Sequence, residues 1–108
     1  MLIILTSCGN DGPGQAFAQC LTDAGAIMYG AYWCPHCLDQ KEMFGKSWDY
    51  VNYIECSLPN RAGQTEFCTV AGIESYPTWA FADGSRQSGL LSFDALAAKT
   101  DCVLEEAA

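Results

Sequence analysis

The sequence predicts a single α/β domain in which a mixed β-sheet carries helices on both faces. With 108 residues, of which 50% are hydrophobic, the chain is long enough for one packed core. Short apolar segments of strand character alternate with segments of helical spacing, as in layered α/β domains. An Asp-Gly pair between the last two predicted strands is a hairpin signal, so these two strands are expected to be antiparallel.

Composition and charge exclude several classes of protein. Five Lys and Arg against 13 Asp and Glu give a net charge of -8, so no basic patch can form and no nucleic-acid partner is expected. No stretch approaches the roughly 20 apolar residues that a membrane-spanning helix needs. Seven cysteines are typical of an oxidising compartment, so we expect an extracytoplasmic protein, in the periplasm or on the lumen side of the thylakoid.

An N-terminal segment over residues 1–14 is separated from the predicted domain over residues 15–108 by a cluster of turn-forming residues. Small residues before Cys8 resemble a bacterial lipoprotein cleavage site, in which case the segment is a signal remnant and Cys8 carries a lipid anchor. The apolar run over residues 2–5 is short for a signal peptide, and no Lys or Arg precedes it. A linker with a first β-strand over residues 2–5 is the alternative, and both interpretations stay open.

The first half of the domain predicts a helix, a strand, a second helix and a second strand. The first helix covers residues 15–23 and ends before Gly25, and the buried strand after it covers residues 26–33. The second helix is expected over residues 35–48 and the second strand over 51–56. The residues expected to share the core-facing side of the second helix are Cys37, Leu38, Lys41, Phe44 and Trp48.

The second half predicts a helix, two strands and a terminal helix. The helix covers residues 66–71, with Gly72 as its C-cap. The strands cover residues 78–82 and 86–89, and Ser92 is expected to cap a helix over residues 93–100. The first two strands are joined through a helix and should therefore be parallel.

The motif Trp-Cys-Pro-His-Cys at residues 33–37 carries the predicted chemistry. Pro35 suits the first helical position, where a missing N–H costs no hydrogen bond. Cys34 then lies at the helix N-terminus, where unpaired N–H groups and the helix dipole favour a thiolate, so it is the expected attacking sulfur. A protonated His36 stabilises this thiolate further and disfavours the oxidised form. Cys37, one turn into the helix, is the expected resolving cysteine.

Three interpretations of this motif compete. The pair can be a reversible redox dithiol, an inert disulfide in a non-catalytic binding module, or a metal site. A structural zinc site needs four ligands, whereas the chain has one C-x-x-C motif and a single His. A c-type haem site needs His directly after the second cysteine, and that position is Leu38. The dithiol is the preferred interpretation, with no metal ligands and no bound cofactor.

A second motif, Ser-Tyr-Pro-Thr at residues 75–78, precedes the third predicted strand. Pro77 cannot donate a hydrogen bond within a sheet, so it belongs at the start of the strand or in a turn. From the local sequence alone, a trans bond between Tyr76 and Pro77 is favoured, because cis is the minority state of X–Pro bonds.

Taken together, the two motifs resemble the thioredoxin fold over residues 26–98. Within that superfamily, the run over residues 28–37, with Cys56 and Cys68 downstream, is similar to the thioredoxin-like domain of bacterial vitamin K epoxide reductase homologues. The resemblance implies that Pro77 is cis and that Tyr76 and Pro77 border the substrate groove. It also implies a structural disulfide between Cys56 and Cys68, and such a bridge stabilises a fold by roughly 3 kcal/mol in the chain-entropy model.

Two departures from the family pattern affect the expected chemistry. Thioredoxin has a buried acid in the strand before its motif, and the matching residue here is Met28, so the proton acceptor of Cys37 is unassigned, with Glu42 or water as candidates. In the bacterial homologues, the thioredoxin-like domain is fused to a quinone-carrying membrane domain that reoxidises it. In this protein we expect that partner to be a separate protein. A bridge between Cys20 and Cys102 stays open, because nothing in the sequence fixes their distance.

The expected function is therefore that of a monomeric thiol–disulfide oxidoreductase. Its clients are proteins with thiols or disulfides, which dock on an apolar surface supplied by Trp33, Tyr76 and Pro77. The Pro-His pair between the cysteines resembles the oxidising members of the superfamily, and thiolate stabilisation makes a disulfide a stronger oxidant. We therefore expect net oxidation of clients, with reoxidation by a membrane quinone-linked reductase.

Overall fold

The computed structural model describes residues 12–104. The predictions for residues 1–11, including the strand over residues 2–5 and the lipid anchor at Cys8, lie outside the described residues. Between residues 12 and 104, no helix has the length and apolar character needed to cross a membrane. The elements in chain order are α1 Gln15–Asp23, β1 Ile27–Gly30, α2 Pro35–Phe44, a 3₁₀ helix Gly45–Tyr50, β2 Tyr53–Glu55, a 3₁₀ helix Pro59–Arg61, α3 Glu66–Val70, β3 Thr78–Ala80, β4 Arg86–Ser88 and α4 Phe93–Thr100.

The four strands form one mixed sheet in the order β2-β1-β3-β4. Strands β1 and β2 are parallel, and β3 is antiparallel to both β1 and β4. This confirms the predicted α/β class and is compatible with a thioredoxin-like fold. Strand β1 is a central strand and is parallel to β2. The motif that follows β1 therefore begins at the C-terminal ends of these two strands.

Two apolar clusters cover the two faces of the sheet, because successive residues of a strand point to opposite sides. Met28 and Trp79 belong to the larger cluster, which includes residues of α1, α2 and α4. Tyr29 belongs to the smaller cluster, together with the Cys56 and Cys68 side chains and Ile73. The helices thus lie on both faces, as the sequence predicts.

Two predicted elements, β1 and α2, end well before their predicted last residue. Strand β1 ends at Gly30 instead of residue 33, because the chain turns there and the Cys34 N–H donates to the Ala31 carbonyl at 3.0 Å. Helix α2 ends at Phe44 instead of residue 48, since Gly45 takes a positive φ of 57° that α-helical geometry does not allow. The strands β2, β3 and β4 and helix α3 keep their predicted positions with shortened ends.

The predicted core face of α2 is wrong in part. Leu38 and Lys41 are exposed, whereas Gln40 is fully buried. The Gln40 Oε1 accepts from Trp79 Nε1 at 3.2 Å and from the Leu91 N–H at 2.9 Å, and its Nε2 donates to the Leu91 carbonyl at 3.0 Å. A buried amide with its partners satisfied is stable in a core. These bonds fix α2, and with it the motif, against β3.

The ends of the outer helices follow the sequence closely. Helix α1 covers the predicted residues, and the chain leaves it through Gly25 at a φ of 92°. The Ser92 hydroxyl accepts from the Ala95 N–H at 3.1 Å, which confirms it as the N-cap of α4. The Asp-Gly turn lies between β3 and β4, where the Asp83 carboxylate accepts from the Ser85 N–H and hydroxyl, and these bonds lower the pKa of Asp83.

Candidate active site

Cys34 is the N-cap residue of α2, with extended backbone angles of φ -81° and ψ 124°, and Pro35 occupies the first helical position. The Cys34 carbonyl accepts a hydrogen bond from the Leu38 N–H at 3.0 Å, and this bond begins the helix. The Cys34 thiol is 3.6 Å from the Tyr76 carbonyl, to which it donates. The sulfur therefore lies at the positive end of α2 and touches the residue that precedes Pro77. His36 is exposed on the first turn of the same helix.

Cys37 lies one turn further along α2 and is only 4% exposed, compared with 7% for Cys34. Both sulfurs are free thiols in this structure. Burial is the main cause that raises the pKa of Cys37 to about 12, and its interaction with Cys34 and the charge of Glu55 act in the same direction. Cys37 is therefore the sulfur that keeps its proton, whereas Cys34 lies at the N-terminus of α2.

A small cavity of about 160 Å³ connects Cys37 with two residues of β2, Tyr53 and Glu55. The Tyr53 hydroxyl donates to Glu55 Oε1 at 2.8 Å. The other oxygen, Oε2, accepts from the Tyr32 N–H at 3.1 Å and from the Ser57 N–H at 3.0 Å. Burial, followed by the hydrogen bond to Glu55, raises the pKa of Tyr53, so its hydroxyl stays protonated.

Gly30 provides the space in which these groups meet. A Cβ atom at this position would lie 2.8 Å from Cys37 Sγ and 2.9 Å from Tyr53 Cε1, closer than real Cβ contacts allow. Both atoms belong to side chains packed in the interior, so a larger residue would push Cys37 and Tyr53 apart. Gly30 is thus required by close packing at the end of β1, since its φ is not positive.

Sequence reasoning missed Gly30, Tyr53 and Glu55. One signal was available, because residues 53 and 55 are two apart on a predicted strand and must share a face. The pairing of Gly30 with Glu55 across β1 and β2 could not be read from the sequence, since it depends on the register of the parallel pair. Glu42, the earlier candidate for the proton acceptor, is exposed on α2, and the acid that lines the cavity is Glu55.

Trp33 and Tyr76 are brought together beside Cys34, with ring centroids 5.9 Å apart in an edge-to-face arrangement. Both are half-buried, and the Trp33 Nε1 donates to the Ser57 hydroxyl at 2.8 Å. The Tyr76–Pro77 bond is cis, as the family resemblance implied and against the preference of the local sequence. The Pro77 side chain is fully buried, so the exposed part of the expected docking surface comes from the two aromatic rings.

The loop after β2 covers one side of this aromatic pair. It contains the 3₁₀ helix Pro59–Arg61, and it is closed at its base by a disulfide between Cys56 and Cys68, the pairing that the resemblance implied. Arg61 lies over the Trp33 ring, with its Cζ 4.2 Å from the ring centroid. This contact could not be predicted from the sequence, because Arg61 and Trp33 are far apart in the chain.

The bridge between Cys20 and Cys102, which sequence reasoning left open, is formed. It ties α1 to the second residue after the end of α4, over a separation of 82 residues. Within residues 12–104, no group of three or more His, Cys, Asp and Glu side chains is arranged to hold a metal ion. Two cysteine pairs are thus disulfides, and the pair in the motif is a free dithiol.

This arrangement suits thiol–disulfide exchange. One sulfur lies at a helix N-terminus, which favours the attacking thiolate, and its partner is a buried thiol of raised pKa a single turn away. The Cys34 and Cys37 thiols interact across the first turn of α2, and this interaction contributes to the raised pKa of Cys37. A half-buried aromatic pair beside the attacking sulfur gives a surface on which a peptide can lie.

No protein-family model matches the sequence. The chain is similar to thiol-disulfide oxidoreductase LTO1 from Arabidopsis thaliana, with 42% identity over 96 residues. The match covers 85% of this chain but 25% of that protein, so the chain spans about a quarter of the length of its curated relative. At this identity over most of its length, the chain is homologous to part of a thiol-disulfide oxidoreductase.

Proposed function

We propose that the protein is a thiol–disulfide oxidoreductase that transfers the Cys34–Cys37 disulfide to client proteins. The observation that carries this proposal is the asymmetry of the dithiol, with Cys34 at the N-terminus of α2 and Cys37 buried with a pKa of about 12. The name of the homologous protein from Arabidopsis thaliana supports the same reaction class. The protein acts as an enzyme in which the two cysteines exchange electrons with the client and no bound cofactor takes part.

In the oxidising direction, a client thiolate attacks Cys34 Sγ. The Cys34–Cys37 bond breaks, a mixed disulfide forms between the client and Cys34, and Cys37 leaves as a thiolate that takes up a proton. A second client thiolate then attacks the client sulfur of the mixed disulfide and releases Cys34 as a thiolate. The client dithiol is oxidised to a disulfide, and the protein disulfide is reduced to the dithiol. Helix α2 begins at Cys34, so the positive end of its dipole stabilises the departing Cys34 thiolate and favours this direction.

The Tyr53–Glu55 pair handles the proton of Cys37. A thiol with a pKa of about 12 is a poor leaving group and is a thiolate only in a minute fraction of molecules at neutral pH, so its reactions need a proton donor and acceptor. Tyr53 and Glu55 share a cavity with Cys37 and are hydrogen-bonded to each other. Water in this cavity, or the tyrosine hydroxyl, passes the proton between the sulfur and the Glu55 carboxylate.

Replacing Glu55 with glutamine is expected to separate two properties of Cys37. Because the carboxylate charge raises the pKa of Cys37, the pKa should fall in Glu55→Gln. The rate at which Cys37 resolves a mixed disulfide should nevertheless fall, by roughly tenfold to a hundredfold, because the proton acceptor is lost. Alkylation of Cys37 in a Cys34→Ser background gives its pKa, and stopped-flow release of a Cys34-linked thionitrobenzoate gives the rate.

The matched control is Glu42→Gln, which removes an exposed carboxylate from α2. It should leave both the pKa of Cys37 and the resolution rate unchanged. If Glu55→Gln lowers the pKa and speeds resolution, Glu55 acts only through its charge, and its role as proton acceptor is wrong.

We place the protein in an extracytoplasmic space, the periplasm or the thylakoid lumen. The two disulfides, Cys20–Cys102 and Cys56–Cys68, support an oxidising compartment. The protein acts as a monomer on client proteins with thiols, and a membrane quinone-linked reductase of the vitamin K epoxide reductase type accepts its two electrons. The similarity of the motif region to the thioredoxin-like domain of those enzymes, rather than to thioredoxin itself, is the support for this partner.

The transfer of the disulfide can be tested directly. Oxidised protein is mixed with an excess of a reduced peptide that contains two cysteines, and the products are resolved by mass spectrometry after acid quenching. One peptide disulfide should appear for each Cys34–Cys37 disulfide that disappears. If the motif disulfide persists in the presence of excess peptide, the protein is instead a binding module with a structural disulfide.

A further inference from the structure

We propose that Arg61 binds a carboxylate of the client, so that cysteines with an acidic neighbour are the preferred substrates. This inference rests on the proposed disulfide exchange at Cys34 and adds the chemical class of the client to it. Arg61 lies in the loop that follows β2, and the exchange between Cys34 and Cys37 does not itself require this loop.

The Arg61 guanidinium lies against the residue that precedes the reactive cysteine. Arg61 is stacked on the face of Trp33, 4.2 Å from the ring centroid, and Trp33 precedes the reactive Cys34 in the chain. A guanidinium carries five N–H donors, and a cation–π contact with a ring does not use them as hydrogen-bond donors. These donors match the two oxygens of a carboxylate. A client that approaches Cys34 over the aromatic pair therefore passes within reach of them.

The guanidinium has no acidic partner among the residues that the structure describes. Within residues 12–104, Arg61 makes no ion pair, and its side chain is exposed. The chain has 13 acidic residues and five Lys and Arg. A cation on Trp33, next to Cys34 in the chain and without an acidic partner among the described residues, offers a local site for the charge that the rest of the surface repels.

The loop that carries Arg61 is held in one conformation before a client arrives. Asn60 and Arg61 both have positive φ angles, 60° and 56°, and the Arg61 N–H donates to the Tyr32 hydroxyl at 3.2 Å. The Leu58 N–H donates to the Gly63 carbonyl at 2.8 Å across the loop, and the Cys56–Cys68 disulfide closes its base. A charged group that is already ordered loses little conformational entropy when it binds.

The test compares peptides that differ only beside one cysteine, with Asp, Asn or Lys in the flanking positions. Rate constants for their reaction with the oxidised protein are measured by stopped-flow fluorescence. Each is divided by the rate constant for the same peptide with the uncharged hydroxyethyl disulfide, which removes the intrinsic reactivity of its thiol. In the wild-type protein, the Asp peptide should react about three to ten times faster than the Asn peptide, and the Lys peptide more slowly than either.

Arg61→Gln should reduce the ratio between the Asp and Asn peptides to about one, with little change for the Asn peptide. Arg86→Gln is the matched control, because Arg86 is also exposed and pairs with Ala80, at the end of β3 away from Pro77. It changes the net charge equally and should keep the wild-type ratio. Raising the salt concentration to about 0.5 M should weaken the preference in the wild-type protein.

The possible outcomes separate this inference from the proposed function. If Arg61→Gln keeps the wild-type ratio, or slows all peptides by the same factor, Arg61 only supports Trp33 and the inference is wrong, while disulfide exchange stands. If none of the peptides reacts with the wild-type protein, the proposed function fails and the inference fails with it.

Discussion

Replacing Cys34 with serine should abolish disulfide exchange, with a loss of at least roughly a thousandfold in rate. The reason is that the hydroxyl of serine cannot form the mixed disulfide with the client. Replacing Cys37 with serine should have a different result. Cys34 then still attacks a client disulfide, but the mixed disulfide persists because the resolving sulfur is missing.

Non-reducing electrophoresis of the two variants with a disulfide-containing client distinguishes these outcomes. Cys37→Ser should give a band of the covalent complex that disappears on reduction, and Cys34→Ser should give none. The reverse pattern, with a complex only in Cys34→Ser, would mean that Cys37 is the attacking sulfur. That result would contradict the roles inferred from the N-cap position of Cys34 and the raised pKa of Cys37.

Removing the Cys20–Cys102 disulfide should have the largest effect on stability among changes outside the active site. The bridge joins residues 82 apart, and in the chain-entropy model a loop of this length contributes about 4.5 kcal/mol. The double variant Cys20→Ala with Cys102→Ala should therefore lose about this amount of unfolding free energy. For a domain of this size, the melting temperature should fall by roughly 20 °C.

The second disulfide provides the comparison. Cys56 and Cys68 are 12 residues apart, so the double alanine variant there should lose about 3 kcal/mol. Urea unfolding of both variants, under conditions that keep the remaining disulfide intact, gives the two free energies. A smaller loss for the Cys20–Cys102 variant than for the Cys56–Cys68 variant would show that constraint of the unfolded chain does not decide the contribution of these bridges.

Much of the fold could be predicted from the sequence because its signals are local. Gly25 ends α1, Ser92 caps α4, and the Asp-Gly turn joins β3 and β4, each through the conformation or hydrogen bond of a single residue. Pro35 likewise indicated the start of α2, which placed Cys34 at the N-terminus of the helix. The position of the dithiol therefore followed from short-range rules.

The parts that the sequence did not reveal depend on contacts between distant segments. Gln40 is buried because Trp79 and Leu91 supply partners from other parts of the chain, which helical periodicity cannot show. The proximity of Glu55 to Cys37 depends on strand register and on the space left by Gly30. The contact of Arg61 with Trp33 depends on a loop whose shape is fixed by its own hydrogen bonds.

The reduction potential of the Cys34–Cys37 pair tests the central claim most directly. The protein is equilibrated in glutathione buffers of defined ratio, and the redox state is followed by fluorescence, with a Trp33→Phe variant to identify the contribution of the neighbouring tryptophan. A donor of disulfides should have a potential of about -120 to -180 mV, in the range of known oxidants and isomerases. A value near that of thioredoxin, about -270 mV, would contradict the proposed direction and assign a reductase. The absence of any reversible transition would contradict the enzymatic role itself.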